Sequence, residues 1–490
     1  MTRAPATALA LLATLALAGC GAASSHDDDN PATSTLRATW VDRNGDGTLE
    51  RGPAEPMVAR TELGPASRPV GTLATLGFVT DVHVRDPESP ARASLLDRLG
   101  PPFSSTFRPQ EALSGQVLAG AVRAIDAAKP TAVIEGGDLI DNDQADELDQ
   151  ALRIVHGGRV RPDSGTPGYQ GPQQASDPDP AFFRPALDAP RIPDLLARAV
   201  APFFSPGLRA PWYPVPGNHD LLVEGEVPPT PALQRLATGD RRLVEVDRSR
   251  LRSADALRAD PPAAVAALLR GGALPGRSVR VAPDPDRRLL SPSELVARLR
   301  GASAAPKGGG PRMDYTFDAG PSVRGIVLDG IERDRDALAL SHGQLGWLAQ
   351  QLRAAGNRWV VVVSHAPLAR SASGRAALAL LDRDRHVVAA LSGDTHKNRI
   401  APRRTAAGGY WLISTGSLAD WPMQARMLRL VRTADGGVAL QTWMLDTAGG
   451  PASLPGIARQ LAFLDAQGGR PQGFRGTRRD RNAVLYLPRL

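Results

Sequence analysis

Five short blocks rich in acids and histidine follow one another along this chain, and each stands directly after an apolar or β-branched run. They are Asp81-Val82-His83, Gly137-Asp138-Leu139-Ile140-Asp141, Gly217-Asn218-His219-Asp220, Ser364-His365-Ala366-Pro367 and Gly393-Asp394-Thr395-His396. A short apolar run that ends in a polar block reads as a buried strand handing its next residues to a loop. The chain has 8 histidines, and four of them fall in these blocks. Polar groups gathered at the carboxyl ends of neighbouring strands share one edge of a sheet, where open α/β folds build their sites. Such a set is also what a dinuclear metal site on a rigid scaffold requires.

The runs place the elements. Residues 73–80 read as a strand delivering Asp81, 132–134 as one delivering Asp138, and 212–215 as one delivering Asn218 and His219. Residues 359–363 deliver His365, and 387–391 deliver Asp394 and His396. Between them, Leu113, Val117, Leu118, Val122 and Ile125 have helical spacing within 111–128, 323–328 reads as a further strand, and a helix lies near 344–355. This alternation, followed by the β-rich stretch 410–445, predicts an α/β fold. Two long segments fit less well: 159–211, rich in Pro, Gly and Gln, and 221–313, with helical pieces at 253–269 and 293–299. Both leave from beside site loops, so they read either as caps over the site or as surface decoration. The stretch 446–490 is rich in Gly, Pro and Arg and reads as a C-terminal tail that wraps the surface or stays partly disordered.

The order of the blocks resembles the calcineurin-like metallophosphoesterase superfamily, whose pattern is D-x-H, G-D-x-x-D, G-N-H-D/E, a lone His, then G-H-x-H. The likeness spans roughly residues 73–432, and the stretches 137–148, 211–220 and 414–426 resemble a secreted actinobacterial subgroup. The resemblance implies a four-layer sandwich of two mixed β-sheets flanked by helices, and a hydrolase of phosphomonoesters or phosphodiesters. It also implies two divalent metal ions (Mn, Fe or Zn), with Asp138 as the bridge. Asp81, His83 and His396 would serve one metal, and Asn218, His365 and Asp394 the other. A hydroxide shared by two Lewis acids would then be the nucleophile. His219 would sit over the phosphate as acid, with Asp220 orienting its ring.

Asp394 is the departure, because the pattern has histidine there. Aspartate is shorter and adds a negative charge, which weakens the Lewis acidity of a neighbouring metal. One reading is an active enzyme with a retuned second site; the other is a half-degenerate site. The second reading leads to a non-catalytic or weakly active lipoprotein that binds phosphorylated ligands. The remaining histidines, His26, His156, His342 and His386, read as tether, loop, helix-start and strand-flanking residues.

The N-terminus speaks to location. Residues 6–18 are an Ala/Leu stretch too short to span a bilayer, and Leu17-Ala18-Gly19-Cys20 closes it like a lipoprotein processing site. Cys20 is the only cysteine, so no disulfide can explain it. It is either a lipid anchor or a chance residue of a peptide that is removed. The resulting layout is a signal peptide over 1–20, a tether over 21–35, an extension over 36–72, the hydrolase domain over 73–445 and the tail. An exported, membrane-anchored protein acting on a phosphorylated small molecule or an envelope substrate is expected. The charge of +7, from 58 Lys+Arg against 51 Asp+Glu, comes with scattered arginines and no recognised nucleic-acid module. Asp42-Arg43-Asn44-Gly45-Asp46-Gly47 looks like the start of a calcium loop, but the twelfth position is Pro53 where a bidentate Glu is needed. A turn held by Asx hydrogen bonds is the other reading.

Overall fold

The computed structural model describes residues 30–489, apart from 93, 100–105, 178–181, 247–253, 261–262, 264–275 and 469–473. Two mixed sheets carry the fold. The seven-stranded sheet runs in the order Val58–Arg60, Ala483–Tyr486, Val438–Asp446, Gln424–Thr433, Pro69–Val79, Ala132–Glu135 and Trp212–Pro214. The six-stranded sheet runs Tyr315–Asp318, Val323–Leu328, Trp359–Ser364, Val387–Ser392, Gly408–Ser414 and Arg399–Thr405. The strands that precede the five blocks pair in parallel, with Leu76 beside Ala132, Val133 beside Trp212, and Val363 beside Leu391. Parallel neighbours end on the same side, so the loops that follow them converge. These strands are covered on both faces, which is why they read as continuous apolar runs such as Val360–Val363.

The sheets face one another across a shared core. Tyr213 of the first stacks on Phe317 of the second with centroids 4.0 Å apart, and the Tyr315 hydroxyl donates to the Pro214 carbonyl at 2.6 Å. Farther along, the Trp411 indole N–H donates to the Tyr486 carbonyl at 3.2 Å. Helices Ser114–Ala127 and Leu454–Gln467 lie on the seven-stranded side, and His342–Ala355 with Ala372–Leu381 on the six-stranded side. The result is the expected four-layer order. In Ser114–Ala127 the stripe Val117, Leu118, Val122 and Ile125 is at most 2% exposed. Small residues on the other faces are buried too, beneath Ala145–His156 and Leu454–Gln467.

Of the segment 446–490, expected as a tail that wraps the surface or stays partly disordered, a helix and a strand are instead part of the core. Ser453 caps Leu454–Gln467 by accepting from the Gly456 amide, and the helix buries Ile457, Leu461 and Phe463. Ala483–Tyr486 then inserts between Val438–Asp446 and the parallel strand Val58–Arg60. The fully buried Arg481 places its Nε 3.1 Å from both Glu55 oxygens, and Asn482 donates to Thr35 Oγ1 and the Glu55 carbonyl. The extension before residue 73 is thereby bound to the chain's last strand.

The two long segments pack on each other. Gly158–Val160 pairs with Phe203–Ser205, and Arg241–Val246 with Gly276–Arg280. A second apolar cluster joins Phe107, Phe182, Val223, Leu233, Leu236 and Leu289, drawing on both segments. Val223 stands four residues past His219, so this cluster anchors a site loop rather than merely decorating the surface. Of the helix expected over 253–269, Ala254–Ala259 is seen and most of the rest lies outside the described residues. Residues 1–29, with Cys20, His26 and most of the tether, also lie outside them. Among the described residues no helix is long and apolar enough to cross a membrane.

Candidate metal centre

Backbone conformation marks the site before any side chain is considered. Nine described non-glycine residues have positive φ, and five of them are Asp81, His83, Asp138, Asp394 and His396. A left-handed backbone costs an L-residue roughly 1–2 kcal/mol. Five such residues together approach the whole net stability of an ordinary domain, about 5–15 kcal/mol. Strain on that scale persists only where surrounding contacts over-determine it, and it concentrates at functional sites.

The contacts are present. The Asp138 carbonyl accepts from the amides of Val82 and His83 at 2.8 and 2.9 Å. The Asp81 carbonyl accepts from the Leu418 amide and the Ser417 hydroxyl. Two glycines allow the approach: a Cβ on Gly137 would collide with the His365 ring, and one on Gly217 would fall on the Asp138 carboxylate.

Four imidazoles share one tautomer. His365 Nδ1 faces the Gly136 carbonyl and His219 Nδ1 the Asp141 carbonyl, both at 2.8 Å; a carbonyl only accepts, so both nitrogens carry the proton. His83 Nδ1 donates to Asp141 Oδ1 at 2.8 Å, and His396 Nδ1 to Asp420 Oδ2. Burial opposes ionisation of Asp141 and Asp420, yet Arg85 and Arg108 overcome it and hold both carboxyls well below the usual range. Arg85 Nη2 reaches Asp141 at 2.6 Å, and Arg108 grips Asp420 through Nε at 2.8 Å and Nη2 at 3.1 Å. Every ring therefore turns its Nε2 toward the same space.

Those nitrogens surround the carboxylates. Asp138 Oδ1 accepts from the His219 amide at 2.9 Å, which leaves Oδ2 3.3 Å from His365 Nε2 and 3.8 Å from His83 Nε2. Asp138 thus stands between the two halves, where a bridging ligand belongs. His396 Nε2 lies 3.3 Å from Asp81 Oδ1, and Asn218 Oδ1 is 3.2 Å from His365 Nε2. Three groups have ligand atoms close enough to share an ion: Asp81, His83 and His396; Asp81, Asp138 and His365; and His83, Asp138 and His219. The fit to cations is tested by one further contact. His83 Nε2 and His396 Nε2 face each other at 3.2 Å. With both protons held at Nδ1, two lone pairs oppose one another, and only a proton or a cation between them resolves that repulsion.

The site is closed below and open on one side. Asp81, His83, Asp138, Asn218 and His365 are buried, whereas the side chains of His219 and His396 are 16% and 13% exposed. Charge is concentrated here. Burial works against a proton on His219 and His396, but Asp138 draws the first up to about 10 and Asp81 the second up to about 9. Burial and then the neighbouring His219 push His83 down to about 4.

One expectation changes, and Asp394 stands slightly apart. Asp220 does not touch the His219 ring. Its Oδ2 accepts from the amides of Gly217 and Asp138 at 2.8 and 2.9 Å, and its Oδ1 from Ile140 at 3.0 Å. Asp220 therefore clamps two loops together, and Asp141 orients His219. Asp394 lies outside all three ion-sized groups; its Oδ2 pairs with Arg370, while Oδ1 is 3.9 Å from His365 Nε2. Sequence reasoning gave no role to Asp141, Asp420, Arg85, Arg108 or Arg370. Asp141 ends the second block, and Asp420 sits in the stretch 414–426, so both had a signal; the arginines had none.

The other motifs take quiet roles. Asp42 accepts from the Gly45 and Gly47 amides and Asp46 from Thr48, so the calcium-like loop is an Asx-bonded turn docked on Gln460. His156 bonds the Ala302 carbonyl, His342 opens a helix, and His386 packs on Trp359.

Neither a protein-family model nor a curated protein sequence matches the chain. Among solved structures, it is similar to a dimetal phosphatase from Danio rerio, at 13% identity and a TM-score of 0.39, over 76% of this chain and 96% of that one. It is also similar to the sulfate thiohydrolase SoxB of Thermus thermophilus in complex with glycerol, at 15% identity and a TM-score of 0.29, over 82% of this chain and 61% of that one.

Proposed function

We propose that this chain is a metallophosphoesterase of the calcineurin-like kind that hydrolyses phosphoester bonds with two divalent cations. The observation that carries the reading is the convergence of three Nε2 atoms, of His83, His365 and His396, on Asp81 and Asp138, each ring locked at Nδ1. Asp81, His83, Asp138 and His396 would hold one cation, and Asp138, Asn218, His365 and Asp394 the other. When bound, such cations supply Lewis acidity to phosphoryl oxygens and to an attacking water. The protein's own part is positioning. Asp141 and Asp420 fix the rings, Asp220 fixes the loops, and His219 on the open side is placed to hold a proton beside the leaving oxygen.

The substrate class is a phosphomonoester or phosphodiester met outside the cytoplasm, a phosphorylated small molecule or an envelope compound. The signal-like N-terminus with Cys20 supports a membrane-anchored location, and the 414–426 stretch supports the secreted actinobacterial subgroup. A second reading, a weakly active lipoprotein that binds phosphorylated ligands, gains from the Asp394–Arg370 pair. The test is hydrolysis of chromogenic mono- and diesters by protein stripped and reloaded with Mn, Fe or Zn, beside an Asp138→Asn control. Turnover that needs metal and disappears in the control is expected; silence with every metal would favour the binding protein.

A further inference from the structure

Asp394 and Arg370 are bound to one another at the rim of the site, and that contact has a consequence for how the site fills. Arg370 ends a single 3-10 turn, Leu368–Arg370, five residues past His365. Its side chain is 52% exposed, while the Asp394 side chain it grips is 6% exposed. The Asp394 amide donates to both Asp81 carboxylate oxygens, at 2.9 and 3.1 Å, and its backbone is left-handed at φ 64°. Backbone and amide thus fix where the Asp394 carboxylate starts, and the guanidinium draws it outward.

The two halves of the site therefore differ in what an entering cation meets. Both are in reach of Asp81 and Asp138, since Asp81 groups with His83 and His396 and also with Asp138 and His365. Only the half around His365 and Asn218 has a guanidinium at its edge, where Arg370 cancels the charge of Asp394. To bind there, a cation must displace a charge-assisted hydrogen bond and meet a guanidinium of its own sign. We propose that Arg370 is a positioning residue that holds Asp394 off the second cation position, so that the two positions fill in order, the His83–His396 one first. This rests on the two-cation reading above.

The test counts cations directly. The full chain is stripped and titrated with Mn2+, and free Mn2+ is followed by its electron paramagnetic resonance signal. The wild type is expected to show two classes of site of clearly different affinity. Because the Arg370 guanidinium is half exposed and screened, Arg370→Gln should tighten the second class by about fivefold. The first class should stay unchanged. Arg370→Lys, which keeps the charge, should behave like the wild type, and a generally loosened fold would move both classes together. Two equal classes in the wild type, or a second class that is unchanged or weaker in Arg370→Gln, would overturn the proposal alone. Fewer than two equivalents in wild type and variant alike would overturn the two-cation reading, and the proposal with it.

Discussion

Asp141 and Asp420 each sit between an arginine and a histidine, and the arginine decides what the histidine can do. A carboxylate kept ionised by Arg85 or Arg108 accepts the hydrogen bond from Nδ1–H, keeps the proton on that nitrogen and leaves Nε2 to face the site. Losing such a partner typically weakens cation binding by about 10–100-fold. Asp420→Asn should do so, and should also lower stability by about 1–3 kcal/mol, because the buried Arg108 loses the carboxylate it grips through two nitrogens. A Mn2+ titration beside a denaturant melt separates the two effects; unchanged affinity would show that Asp420 does not orient His396. Asp220 differs in kind. Its two oxygens take three backbone amides, and an asparagine amide offers one acceptor oxygen. Asp220→Asn should cost about 1–3 kcal/mol of stability through an unpaired buried amide. The pH profile of turnover should stay where it is, whereas a residue acting on the His219 proton would shift it.

At the scale of elements, the last strand tests how much of the chain the fold needs. Ala483–Tyr486 joins Val438–Asp446 to Val58–Arg60, and the helix before it buries Ile457, Leu461 and Phe463. Burying each large apolar side chain is worth about 1.5–3 kcal/mol. Losing these three with Leu485 and Tyr486 removes on the order of 10 kcal/mol, as much as a domain's net stability. A chain ended after residue 446 should therefore give no cooperative thermal transition; a sharp melt near that of the full chain would refute this. The sequence-based reading missed this strand for a physical reason. A strand covered on both faces advertises itself by an unbroken run such as Val360–Val363. Ala483–Tyr486 is only four residues long, flanked by arginines and proline, and its pairing partners lie far away in sequence. The blocks were legible because a ligand must follow a strand end at once. Asp420 was marked only as part of the stretch 414–426 and not by its role, because it reaches His396 across space and has no histidine beside it in sequence. Arg370 was not, because nothing in Ser364-His365-Ala366-Pro367-Leu368-Ala369-Arg370 shows which acid it will meet.

Across the whole molecule, the candidate ligands come from both sheets. Asp81, Asp138 and Asn218 follow strands of the seven-stranded sheet, and His365, Asp394 and His396 follow strands of the six-stranded one. A cation held between them binds the folded chain alone, which is worth about 2.7 kcal/mol at a hundredfold excess over its Kd. Spread over the unfolding entropy of a chain this long, that predicts a rise in melting temperature of about 3 °C for each cation bound. The effect should depend on pH in a fixed direction. Burial disfavours charge on His396, but Asp81 and then Asp420 raise it from an ordinary 6.5 to about 9. A group whose folded value is raised contributes stability that is fully present below pH 6.5 and is lost as the pH passes through about 9. In the stripped protein that proton is what separates His396 from Asp81 and from the lone pair of His83. A cation takes over the same work and needs the proton gone. The melting temperature of stripped protein should fall across this window, and that of Mn-loaded protein should stay level or rise, so the gain from loading widens with pH. Melting curves in matched buffers with and without Mn2+ decide it. A gain that shrinks as the pH rises would mean that protons on these histidines are not what the cation displaces.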